Sequence, residues 1–121
     1  MEKRKLPHNH NNIIEHDFDH MPKLHEFEVI SDVFKLLGDA TRVRLLWILF
    51  HCEECVLNLS VMMDMSSPAI SHHLKLLKTS GLVKSRRDGK EVYYKAAETE
   101  QTEALHHIIE KVVKISCPEK G

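Results

Sequence analysis

Glycine and proline are scarce, with four of each in 121 residues, so most of the length is free to be helical. Cysteine is scarce too. Three cysteines, an odd number, argue against a disulfide framework. Long apolar runs are missing: none approaches the roughly 20 residues needed to span a bilayer. The charged start Met1-Glu2-Lys3-Arg4-Lys5 is followed by no apolar signal segment, which gives the expectation of a cytoplasmic protein. Hydrophobic residues at 42% and charged residues at 29% are ordinary for a soluble globular chain, and the length suits one domain.

A strong excess of one charge is also lacking, since the net charge is −1. Distribution matters more than the total. Residues 75–95 carry seven basic side chains (Lys75, Lys78, Lys84, Arg86, Arg87, Lys90, Lys95) against Asp88 and Glu91, a local +5. Residues 1–40 carry five basic and eight acidic groups, a local −3. A basic stretch within a near-neutral chain is the electrostatic footprint of a DNA reader, set against the plainer reading of a solvated surface.

Residues 1–22 are polar, broken by Pro7 and Pro22, and rich in histidine (His8, His10, His16, His20), which predicts a flexible tail. A folded domain is expected over 23–117 and a short tail over 118–121. Phe27, Ile30, Val33, Phe34 and Leu37 recur at helical spacing, and Gly38 is placed to end that helix. Asp39 is a candidate N-cap for a helix from Ala40 to about Phe50, apolar on most sides, Trp47 included, and so expected at the centre. A short helix over Val56 to Met63 should turn Leu59 and Met62 inward, with the methionines as core filling. In the next helix Ser67 is the expected cap and Pro68 suits the first turn. Ile70, Leu74 and Leu77 form its apolar stripe, Ser67, Ser71, His72, Lys75 and Lys78 lie on the other faces, and Gly81 closes it. Extended runs from Leu82 to Arg87 and Lys90 to Lys95 flank Asp88-Gly89, a hairpin signal in which both turn residues are expected at positive φ. A last helix over Glu100 to Ser116 carries Leu105, Ile108, Ile109, Val112 and Val113, an aliphatic stripe that calls for a partner, either the core or a second subunit.

Helix, tight turn, a capped helix with small polar residues at its start, then a basic hairpin is a winged helix-turn-helix, mainly α with a small β-hairpin wing. Short side chains at the start of the second helix let its backbone enter the roughly 12 Å major groove. Ser67, Ser71 and His72, with Lys75 on the same exposed side, are placed to reach phosphates or base edges. Arg86, Arg87 and Lys90 fall on the hairpin, against the flanking backbone or minor groove. Simple capping or surface exposure is the competing reading for the serines and His72.

The stretch Leu37-Gly38-Asp39-Ala40-Thr41-Arg42-Val43-Arg44-Leu45-Leu46 resembles the L-x-D-x-x-R-x-x-I/L-L signature of the arsenic-repressor (ArsR/SmtB) family of metal sensors. Ser67 to Leu77 resembles that family's recognition helix, Gly81-Leu82-Val83 its exit, and Arg86 to Tyr94 its wing. The pieces lie in register from about residue 27 to 113. The resemblance implies a homodimer formed by the first and last helices, bound to a palindromic operator in double-stranded DNA and released by an inducer. It also implies a structural role for Arg42.

Relatives in that family place metal sites in two regions. The first is the third helix, where Cys55 matches a family cysteine while Leu57 and Asn58 replace its usual companions. Cys52 adds a second thiol, and two thiolates two residues apart suit zinc or another soft ion. In relatives the remaining ligands come from the partner's N-terminal tail. This tail offers His8, His10, His16, Asp17 and His20, with His16 and His20 the expected ligands. The second region is the last helix. There His107-x-x-Glu110 fits half of the family pattern, whereas the other half falls on Tyr94 and Ala96, with Glu98-x-Glu100 the nearest acidic pair. Glu103 and His106 are further donors. Zinc or another transition metal is the expected cofactor and inducer. Cys117 reads as an incidental thiol. Competing readings are thiol oxidation at Cys52 and Cys55, or a winged-helix interaction module without DNA binding. An enzyme is not expected, since a Gly-rich loop, a nucleophile elbow and His-Glu-x-x-His are all missing.

Overall fold

The computed structural model describes Pro7, His8 and residues 19–117. The chain divides into two units, residues 1–32 and 33–121. Helix α1 (Leu24–Leu36) starts in the first, where Lys23 N–H donates to Glu26 Oε1 at 3.0 Å, and ends in the second. None of its residues is buried, and Leu24, Phe27, Val29, Ile30 and Phe34 are exposed. Gly38 closes α1 through its N–H to Lys35 O, and without a positive φ. A Cβ there would sit 3.3 Å from Lys35 O and 3.4 Å from Phe34 O, so the glycine answers a close approach rather than a left-handed turn.

The second unit follows in the order α2 (Ala40–His51), β1 (Glu54–Cys55), α3 (Val56–Met63), α4 (Ser67–Thr79), β2 (Val83–Asp88), β3 (Glu91–Ala96) and α5 (Glu100–Ser116). Asp39 caps α2, its carboxylate accepting from Arg42 N–H at 3.1 Å. That bond, more than any other influence, holds the Asp39 carboxyl below its ordinary range. The core is aliphatic: Leu45, Leu46, Leu59, Ile70, Leu74, Leu77 and Leu82 are fully buried, with Leu49, Met63, Val83 and Leu105 around them. Two expectations change at this level. Trp47 is 44% exposed and lies against His51, and Met63 rather than Met62 faces inward, because the helical turn of α3 puts residues 59 and 63 on one face.

The turn between α3 and α4 is tight. Asp64 adopts the left-handed conformation (φ 53°, ψ 50°), and Met65 N–H returns to Ser60 O, which satisfies a carbonyl at the end of α3. Gly81 (φ +82°) does the same after α4, where Leu82 N–H reaches Leu77 O. The hairpin pairs Asp88 with Glu91, so its two-residue loop is Gly89-Lys90. Only Gly89 has positive φ (+64°), the mark of a type II′ rather than the expected type I′ turn. Strand β1 is an addition to the expectation. It pairs antiparallel with β3, Glu54 opposite Tyr94 and Cys55 opposite Tyr93, making a sheet in the order β1-β3-β2.

Candidate nucleic-acid interface and metal centre

Helix α4 separates its faces cleanly. Ile70, Leu74 and Leu77 are fully buried, while Ser71, His72, Lys75 and Lys78 are exposed and Ser67 is half-buried. Ser66, not Ser67, is the N-cap, its hydroxyl accepting from Ala69 N–H at 3.2 Å. Ser67 therefore stands at the first helical position with its hydroxyl not engaged in the cap. Ser67, Ser71, Lys75 and Lys78 follow one another at spacings of four, four and three, which lines them along one side of the helix. Lys78 Nζ donates to Ser85 Oγ at 2.7 Å, tying this helix to β2.

On the hairpin the basic residues divide. Arg86 is held by Glu53 through Nε and Nη2 at 2.6–3.0 Å, lies 3.7 Å from Asp88, and sits over the Tyr93 ring at 4.9 Å. The bond lowers the Glu53 carboxyl below its usual range and raises the Arg86 guanidinium above its own. Arg86 is thus a strut across the wing, and contact with a phosphate has to compete with Glu53. Arg87 and Lys90 are exposed and join no ion pair among the described residues. Lys84 and Lys95 are both drawn to Glu98, at 3.4 and 2.6 Å. Arg42 is internal bracing: Nε donates to Leu36 O at 2.6 Å and Nη1 to His73 Nδ1 at 3.3 Å, joining the end of α1, the start of α2 and α4. Sequence reasoning did not find the partner Glu53, because Glu53 and Arg86 are 33 residues apart and no local spacing marks the pair.

The expected metal ligands are scattered. Cys52 ends α2, is exposed, and donates from Sγ to Ile48 O at 3.5 Å. Partial desolvation of the sulfur against the end of α2, then the nearby Glu54 charge, push its thiol up and away from thiolate. Cys55 is buried at the start of α3, its Sγ accepting from Asn58 N–H at 3.5 Å. Each thiol serves a helix end, and among the described residues neither belongs to a group of three converging donors. His20 is exposed. His10, His16 and Asp17 lie outside the described residues. His107 is exposed and, among the described residues, forms no ion pair with Glu110 and belongs to no group of three converging donors. Glu110 is met instead by His106, Nε2 to Oε1 at 3.2 Å, and by His51 of α2, Nε2 to Oε1 at 3.8 Å. A residue four positions back reaches the carboxylate here, not the one three back.

Comparison with known proteins adds the lineage. Residues 39–85, from the cap of α2 into β2, match the bacterial regulatory protein, arsR family. The chain is 42% identical over 66 residues to the cadmium resistance transcriptional regulatory protein CadC homolog of Staphylococcus aureus, covering 54% of each. It is 39% identical over 75 residues to the transcriptional repressor SmtB homolog of Synechocystis, 62% of this chain and 57% of that one. A 72-residue stretch, 35% identical, spans 81% of the uncharacterized HTH-type transcriptional regulator MJ1325 of Methanocaldococcus jannaschii and 59% of this chain. The chain belongs to the arsR family.

Among solved structures, the homodimeric winged helix-turn-helix DNA-binding domain Mb0332 of Mycobacterium bovis superposes with a TM-score of 0.67 at 28% identity, over 80% of this chain and 88% of that one. The fold is accordingly a winged helix. The chain spans about half the length of the CadC and SmtB homologs it matches. The arsR match holds α2 to α4 and His51, Cys52 and Cys55, but ends before β3 and α5. His106 and Glu110 therefore lie in the part of this arsR protein that the family match does not describe.

Proposed function

We propose that this arsR-family chain is a DNA-binding transcriptional repressor that acts as a homodimer and leaves its operator when a divalent metal ion binds. The observation that carries the DNA reading is α4, fully buried along Ile70, Leu74 and Leu77 and lined on its exposed side by Ser67, Ser71, Lys75 and Lys78. Ser71, His72 and Lys75 are the proposed groove contacts, with Ser67 beside them. Arg87 and Lys90 are the wing's phosphate contacts, while Arg86 positions the wing through Glu53. Dimerisation is supported by the exposed apolar residues of α1 and α5, and by the homodimeric Mb0332.

Metal response is supported by the name of the cadmium resistance relative and by imidazole and carboxylate donors that converge in this chain. A metal ion and operator DNA that favour different arrangements of the dimer weaken each other's binding by the same factor. The test is fluorescence anisotropy of a labelled palindromic operator with purified protein, with and without stoichiometric zinc. The expected result is tight, salt-dependent binding that zinc weakens by tenfold or more, within the usual range of such couplings. Binding that ignores salt would remove DNA as the partner. Binding unaffected by zinc but lost on oxidation, and restored in Cys52→Ser or Cys55→Ser, would replace metal with thiol chemistry.

A further inference from the structure

We infer that His51, His106 and Glu110 form a divalent-metal site within one protomer, built from the end of α2 and the middle of α5. Their ligand atoms all lie within 4.8 Å of one another. Around a tetrahedral zinc with bonds of roughly 2.0–2.1 Å, neighbouring ligand atoms are about 3.3 Å apart. The three donors thus need to close by an ångström or two, a movement open to side chains that are exposed (His51) or half-buried (His106, Glu110). The site differs in kind from the thiol and last-helix patterns that family resemblance suggests, since it draws on α2 and includes neither cysteine nor His107.

Two features orient the donors. His51 Nδ1–H donates to the Trp47 carbonyl at 2.8 Å, which in the neutral ring leaves the lone pair on Nε2, the atom that faces Glu110. A carbonyl fixing the far nitrogen of an imidazole is the usual support of a histidine ligand. His106 is stacked on Phe50 at 4.2 Å and meets His51 edge-on at 5.3 Å, so an aromatic wall holds both rings on the same side. A cleft of about 380 Å³, lined by His51, Cys52, Glu53, Glu98, Thr102 and His106 among others, opens beside the two rings and leaves room for a water ligand. Two imidazoles and a carboxylate favour zinc, cobalt or nickel over soft ions.

The site has a direct neighbour in the wing. Glu53, two residues after His51, holds Arg86 of β2. Pinning His51 to α5 fixes the segment from which Glu53 reaches the wing, which gives metal a route to DNA affinity. The site itself rests on geometry alone; only this link to operator release rests on the repressor reading.

The experiment titrates Co²⁺ into the 121-residue chain under thiol-reducing, chelator-free conditions. The single tryptophan, Trp47, lies 4.2 Å from the His51 ring and reports binding by paramagnetic quenching. One Co²⁺ per chain, quenching of Trp47 and no sulfur-to-cobalt charge-transfer band are expected. His51→Gln, His106→Gln and the isosteric Glu110→Gln should each weaken Co²⁺ binding at least tenfold, at unchanged circular dichroism, whereas His107→Gln and Cys52→Ser stay within twofold. No Co²⁺ binding, a thiolate band, or wild-type affinity in His51→Gln or Glu110→Gln overturns the site. Operator anisotropy on the same samples separates the two claims. Zinc release of DNA that persists in Glu110→Gln leaves the repressor reading standing and moves the sensor elsewhere. Co²⁺ binding as described with no effect on DNA keeps the site and removes its role in release.

Discussion

Helices α4 and α5 solve the same problem in different ways. Both are amphipathic and both are capped, by Ser66 and by Thr99. Yet α4 buries its whole apolar stripe against α2, α3 and the sheet. In α5 only Thr102 and Leu105 are buried, while Ile108, Val112 and Val113 are each about half exposed and Ile115 is 70% exposed. A helix whose stripe is satisfied inside one chain belongs to the domain; one whose stripe is left open keeps apolar surface available for an interface. In this chain the polar side of the finished helix is exposed, and so is much of the apolar side of the unfinished one.

The comparison can be broken most severely at Leu74. Leu74→Ala leaves a cavity in the centre of the core and should cost about 3 kcal/mol or more in urea unfolding. A loss under about 1 kcal/mol would mean that α4 is not packed as described. At the matching position on the other helix, Ile108→Glu should leave the helix content intact in circular dichroism. It should weaken self-association by roughly thirtyfold or more, about 2 kcal/mol, in sedimentation. A dimer of wild-type strength would make the stripe of α5 a surface without a partner.

Smaller changes sharpen the contrast at the exit of α4 and on the wing it steadies. Gly81→Ala meets no neighbouring atom within 4 Å, so its effect is backbone strain at φ +82°, about 1–2 kcal/mol of stability in the same unfolding experiment. Arg87→Ala should weaken binding to every DNA sequence alike and reduce the salt slope by about one. Arg86→Ala should change that slope less, because Arg86 is already neutralised by Glu53; equal slopes would return Arg86 to the phosphate contacts.

Much of α4 was legible in the chain. Ile70, Leu74 and Leu77 at helical spacing announce a buried face, and Gly81 an exit, because both signals are local. The cap was misplaced by one residue since Ser66 and Ser67 are chemically equal and only backbone geometry chooses between them. The turn type changed for the same reason: strand register, not the Asp-Gly pair, decides which two residues form the loop. Strand β1 is two residues long, too short for any alternation to show.

What the amino-acid order settles unaided is the periodic part: the helices, the hairpin, the basic run from 75 to 95 and the likeness to the arsR family. Each is written in the order of residues along the chain, without reference to how distant elements cross. Convergence is another matter. That His106 rather than His107 meets Glu110, that His51 comes from 55 residues away to join them, and that Glu53 takes Arg86 out of the free cations were all decided by packing. The distance between side chains remote in sequence depends on how whole elements cross, and no local pattern encodes it.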